Sequence, residues 1–159
     1  FLNLHNAKLP DYRGHNSITH VLLNREKLHT STLHWMVDKV DRGRIVMEKS
    51  TRVFADDTAF SLWSRTVEAA CQLALRWFSS VKSIEDLPEG NEIVGIGKFY
   101  SRDIEQLKKI PEDASFSDIE RISRAFYFPG RVPAYFQCGE KKLYVIPEYD
   151  MLKLPSEFS

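Results

Sequence analysis

The chain has 159 residues, 43% of them hydrophobic and 12% aromatic, with 22 basic side chains against 22 acidic ones. This is the composition of one soluble globular domain, long enough to bury a core. It excludes an acidic or basic tail, gives no global field toward nucleic acid or anionic membrane, and holds no apolar run near the roughly 18 residues of a membrane span.

The first segment, Phe1 to Leu4, reads as a short buried strand. It has no charged region followed by an apolar one, so no signal peptide is expected, and it resembles the middle of a strand inside a larger fold. Asn6 to Gly14, with Pro10 and Gly14, reads as an irregular loop of the kind that carries chemistry. Ile18, Val21, Leu22 and Leu28 then recur at helical spacing, with Asn16 or Ser17 as cap. Thr30 to Val37 alternates as a strand, Asp38 to Gly43 turns, and Arg44 to Phe54 resumes a strand pattern.

The longest helix is expected to be capped by Asp56 or Asp57 and to run to about Ser79. Its stripe of Phe60, Trp63, Val67, Ala70, Cys71, Ala74, Leu75 and Phe78 keeps a helical period and is expected to be its core face. After Pro88-Glu89-Gly90, a strand is expected over Ile93 to Tyr100. A short helix capped by Ser101 follows and stops at Pro111. Ser117-Asp118-Ile119-Glu120 has capping-box spacing for a helix to about Phe126, and Gly139-Glu140 turns a hairpin of Ala134 to Cys138 with Lys142 to Ile146.

The chemistry-bearing residues are few. Asn3 and His5, two apart on a strand, point to one side, and Asp41 sits at the tip of a later loop. An amide donor, an imidazole and an orienting carboxylate would suit acyl transfer to an amine, although spacing alone favours three satisfied polar residues. All five histidines fall in the first 34 positions, yet without HxH or HExxH spacing, so no metal site is expected. The chain has no GxGxxG, GxxxxGK[ST] or GxSxG motif. Its two cysteines, Cys71 and Cys138, form no CxxC, which argues against a disulfide framework and for a cytoplasmic setting.

Taken together, Asn3-Leu4-His5, the loop Leu9-Pro10-Asp11-Tyr12-Arg13-Gly14 and Val37-Asp38-Lys39-Val40-Asp41-Arg42-Gly43 resemble the signature of 10-formyltetrahydrofolate-dependent formyltransferases, over roughly residues 1 to 80. Arg13-Gly14-His15-Asn16, Leu33-His34-Trp35 and the Arg124 to Gly130 segment with Ala134-Tyr135-Phe136 resemble the sugar N-formyltransferases of that family. The resemblance implies an α/β fold: the C-terminal part of a Rossmann-like formyltransferase sheet with flanking helices, then a small α+β tail ending in a hairpin. Residues 1–90 would form the catalytic core, without the βα units that precede this strand in the family. Residues 91–159 would form the tail, with a homodimer contact.

The implied reaction moves a formyl group from 10-formyltetrahydrofolate to the amine of a nucleotide-linked sugar, commonly a dTDP-linked 4-amino-4,6-dideoxyhexose, in O-antigen or cell-surface polysaccharide synthesis. Asn3, His5 and Asp41 would be catalytic. Val37, Asp38, Val40, Asp41, Gly43 and His34 would line the folate pocket. Arg13, His15, Tyr100, Arg102 and Arg124 are candidates for the nucleotide sugar, each equally readable as a solvated or packed side chain. Methionyl-tRNA or glycinamide ribonucleotide as acceptor, or a non-catalytic nucleotide-sugar binding or dimerisation module, are the alternatives.

Overall fold

A computed structural model describes residues 1–148. Three strands, β1 (Leu2–His5), β3 (Leu28–Trp35) and β4 (Ile45–Arg52), form an antiparallel sheet in the order β1-β3-β4. The central strand β3 pairs with both neighbours, whereas β1 is an edge whose only partner among the described residues is β3. Two-residue strands β2 (Arg13–Gly14) and β5 (Phe99–Tyr100) pair in parallel, and β6 (Ala134–Cys138) and β7 (Lys141–Val145) form the expected hairpin. The helices are α1 (Ser17–Leu23), α2 (Ala59–Ser80), α3 (Glu105–Lys108) and α4 (Phe116–Phe126).

Alternation assigns the two sides of the sheet. Leu33 and Trp35 pack with Leu2, Val46 and Met47 against Leu73 and Trp77 of α2. Residues one step out of phase, Asn3, His5, Thr32 and His34, therefore face away from α2. A second core joins Ala7, Tyr12, Val21, Leu22 and Leu62 to Tyr100, Ile110, Ile122, Ala125, Phe126 and Ala134, so residues from both sides of position 90 share it.

The structure corrects several expectations. Helix α2 buries Ala59, Leu62, Thr66, Ala69, Leu73 and Trp77, not the Phe60 to Phe78 stripe, whose Leu75 and Phe78 are 69% and 75% exposed. Both sets repeat at helical spacing on a helix that is apolar over more than one face, and the sheet selects the set that fits Leu33 and Trp35. Phe60 and Trp63 instead cluster with Phe128. The strand expected over 93–100 shrinks to Phe99–Tyr100, because Gly95 and Gly97 turn the chain with φ of 92° and 62°.

The caps also move. Thr58, not Asp56 or Asp57, caps α2 in a reciprocal pair with Ser61, and Ser115, not Ser117, caps α4. Ser101 accepts from the Asp103 amide and lies four residues ahead of Glu105, where α3 begins. Asn16 occupies the cap position of α1 but adopts a left-handed backbone, and its amide donates to the carbonyls of Ser101 and Arg102 instead.

Two histidines are held in the core without ionic partners. His20 lies against the Tyr100 ring and His29 is 1% exposed, with neither of its ring nitrogens hydrogen-bonded. Burial pushes both pKa values down to about 4. The unfolded chain, with histidines near 6.5, takes up more protons between those limits. Stability is therefore expected to be full above about pH 6.5 and to fall as pH drops toward 4, by up to about 3 kcal/mol per histidine. Urea unfolding across that range checks this, and His29→Leu should remove about half of the slope.

Candidate active site

The register of β1 on β3 builds the site. Asn3 lies directly opposite His34 and His5 opposite Thr32, so side chains that are distant in sequence share one patch of the sheet. Asn3 Nδ2 donates to His34 Nε2 at 3.1 Å, and His34 Nδ1 donates to the Trp35 carbonyl at 2.9 Å. These partners assign His34 the Nδ1–H tautomer. At the same point β4 shifts register between Leu33 and His34, a bulge of the kind that re-aims a side chain.

Asp41 completes the cluster from the loop between β3 and β4. Its Oδ2 stands 3.6 Å from His5 Nε2 and its Oδ1 3.6 Å from His34 Nε2. The two imidazoles are nearly perpendicular, with ring centroids 6.3 Å apart. Asp41 Oδ2 also accepts the Gly14 N–H at 2.9 Å, and His5 Nε2 donates to the Tyr12 carbonyl at 3.0 Å. The carboxylate is thus tied by the loop backbone and sits between two rings.

Glycines make the approach possible. Gly14 has φ +88°, and a Cβ there would lie 2.4 Å from the Tyr100 carbonyl oxygen. A Cβ on Gly43 would lie 1.6 Å from the Trp35 carbonyl oxygen, so the loop carrying Asp41 closes onto β3 only with glycine at that position. Asp41 itself is left-handed with φ 51°, a conformation that aspartate tolerates better than most residues.

The remaining sequence-singled residues divide. Val37 and Val40 stand 54% and 61% exposed on the loop beside the buried Asp41, an apolar rim next to polar groups. Arg13 and His15 flank Gly14, and His15 is exposed. Tyr100 stands apart in the core, stacked on Tyr12 and accepting a hydrogen bond from Asn24. Arg102 is exposed, and Arg124 donates to the Asp57 carbonyl. Sequence reasoning placed His34 in the folate pocket, within reach of the pocket of His5, and missed its bond to Asn3. It also missed the Tyr12 carbonyl and Gly14 amide, because backbone groups leave no signature in residue type. Among the described residues, no group of three or more His, Cys, Asp or Glu is placed to hold a metal ion.

This sheet, with Asn3, His5 and Asp41 gathered on the face turned away from α2, defines a formyltransferase fold. It superposes on a 4-N formyltransferase from Francisella tularensis with a TM-score of 0.82 at 18% identity, over 92% of this chain and 61% of that one. Residues 1–77 match the family model described as formyl transferase. The chain is 31% identical over 152 residues to the GDP-perosamine N-formyltransferase of Brucella melitensis, covering 96% of itself and 57% of that protein. It therefore spans little more than half the length of this curated relative. An N-formyltransferase from Helicobacter canadensis, solved with folinic acid and dTDP-3-aminofucose, matches at 24% identity and a TM-score of 0.76 over 89% of this chain and 52% of that one.

Proposed function

We propose that the protein is a cytoplasmic sugar N-formyltransferase, using 10-formyltetrahydrofolate to formylate the amine of a nucleotide-linked amino sugar. The observation that carries this reading is the Asn3–His34 pair with His5 and Asp41 in one cluster. The relatives named for GDP-perosamine and crystallised with folinic acid and a dTDP-sugar support it. The exposed Val37 and Val40 beside polar backbone suit a flat heteroaromatic ring such as a pteridine.

The chemistry follows from the groups present. As the sugar nitrogen bonds to the formyl carbon, the carbonyl oxygen gains negative charge, which Asn3 meets with the amide N–H not committed to His34. His5 holds the proton released by the amine and returns it as the bond from the formyl carbon to the folate nitrogen breaks. Asp41 lowers the cost of that transient imidazolium, and His34 holds Asn3 in orientation. Arg13, His15 and Arg102 are assigned to the nucleotide.

Homodimerisation through the β6–β7 hairpin belongs to the same proposal, since Leu143 and Tyr144 are 61% and 48% exposed there. Incubation with 10-formyltetrahydrofolate and a panel of GDP- and dTDP-linked amino sugars tests the reading. Mass spectrometry should show one formyl group added to a single sugar. Formylated methionyl-tRNA with no formylated sugar would overturn it.

A further inference from the structure

A second cavity lies away from the triad, where the turn after α1, the loop after β4 and the first turns of α4 meet. It encloses about 220 Å³, room for a phosphate or diphosphate group, and four cationic side chains line it: Arg25, Lys27, Arg121 and Arg124. The one carboxylate in its wall, Glu26, is already engaged by the Tyr12 hydroxyl at 2.8 Å. Asp118, at the rim, is shared between Arg25 at 3.3 Å and Arg121 at 2.7 Å.

The arginines are fixed but not satisfied. Arg121 Nη1 donates to the Leu23 carbonyl, and Arg124 Nη1 to the Asp57 carbonyl. The Nε of each is shut off from solvent without a hydrogen-bond partner, the nearest carboxylate to Arg124, Glu120, standing 4.0 Å away. Lys27 makes no ion pair among the described residues. Arg25 has a left-handed backbone, φ 57°, a position that ordinarily favours glycine or asparagine, yet an arginine occupies it over the cavity. Phe54 closes one wall, with the guanidinium groups of Arg52 and Arg65 at 5.4 and 4.7 Å from its ring centroid.

So many cations converge here at a cost in mutual repulsion, in a chain whose net charge is zero. Their common chemistry is recognition of a multiply charged oxyanion, which forked guanidinium groups bind bidentately. We propose that this cavity is a second anion site, which takes the phosphate groups of a small phosphorylated ligand and is separate from the cluster around Asp41. None of Asn3, His5, His34 or Asp41 lines it. The assignment stands on the cavity alone and does not depend on the proposed formyl transfer.

Isothermal titration of the chain with inorganic pyrophosphate, and separately with inorganic phosphate, tests it. Binding of pyrophosphate at one site, weakened as sodium chloride is raised, is expected. The Arg25→Asn/Lys27→Gln double variant should bind about tenfold or more weakly, the scale of losing charge-assisted contacts. Asparagine suits the left-handed backbone and both replaced side chains are exposed, so the unliganded melting temperature should not move. Tighter binding of phosphate than pyrophosphate would still support the site and define a monoester as its ligand. Absence of binding, equal affinity in the double variant, or loss of binding in His5→Ala with retention in the double variant would each overturn it.

Discussion

His5→Ala is expected to lower formyl transfer by about a hundredfold or more, with the melting temperature little changed. The imidazole stabilises positive charge only in transit, and its ground-state contacts are one hydrogen bond to the Tyr12 carbonyl and a 3.6 Å approach to Asp41. Loss of a group that acts in the transition state lowers turnover without a matching loss of substrate binding, and one such group contributes on the order of 10²–10⁴. Single-turnover assay of the complete enzyme with 10-formyltetrahydrofolate and its sugar reads this directly. Turnover within a few-fold of the parent would remove His5 from the chemistry. Asn3→Ala should produce a similar loss, and His34→Ala a smaller one, because His34 acts through the Asn3 amide.

The largest stability loss is expected at Asp57, which is 3% exposed. Its carboxylate accepts the Phe54 amide at 2.7 Å, the Ser61 hydroxyl at 2.8 Å and both terminal nitrogens of Arg65, so it fastens the end of β4 to the start of α2. Asp57→Ala strands a buried amide and the partly buried Arg65, a loss of about 3–5 kcal/mol for a fully buried pair. Arg65 is 34% exposed and rehydrates in part, which places the expectation near about 3 kcal/mol. Burial pushes the Asp57 pKa up, but the bonds from Arg65, Phe54 and Ser61 outweigh it and hold the group below the usual carboxylate range. Its contribution is therefore present above about pH 4 and lost as pH falls through the lower folded value. Urea midpoints of parent and Asp57→Ala should differ at neutral pH and draw together in acid.

Period and turn chemistry made much of this fold legible. The alternation over Thr30 to Val37 and the glycine at 43 mark a hairpin whose register sets the site, and Gly139 marks the second hairpin. The convergence of Asn3, His5 and Asp41 followed from strand spacing and resemblance together. Burial of α2 was not legible, because a helix apolar on two faces offers two equivalent stripes and the choice is made by Leu33 and Trp35 across the interface. Helix starts shifted by one to four residues where neighbouring Ser, Thr and Asp compete for the same amides, as Asp57, Thr58 and Ser61 do. The Asn3–His34 bond needed the pairing register, which no local pattern carries.

The place of β1 at the sheet edge has a consequence for precision. Among the described residues, Asn3 and His5 ride on a strand paired with β3 alone, while His34 rides on the central strand paired with both β1 and β4. The proposed acid–base and donor groups thus sit on elements of unequal pairing, so that local fraying of β1 would separate Asn3 from His34 before the fold opens. Any backbone that zips along the open margin of β1 damps that fraying. Assembly along this margin and the sharpness of the catalytic geometry are in this way a single variable, so a contact made with no reacting group still governs how often the reacting groups are aligned.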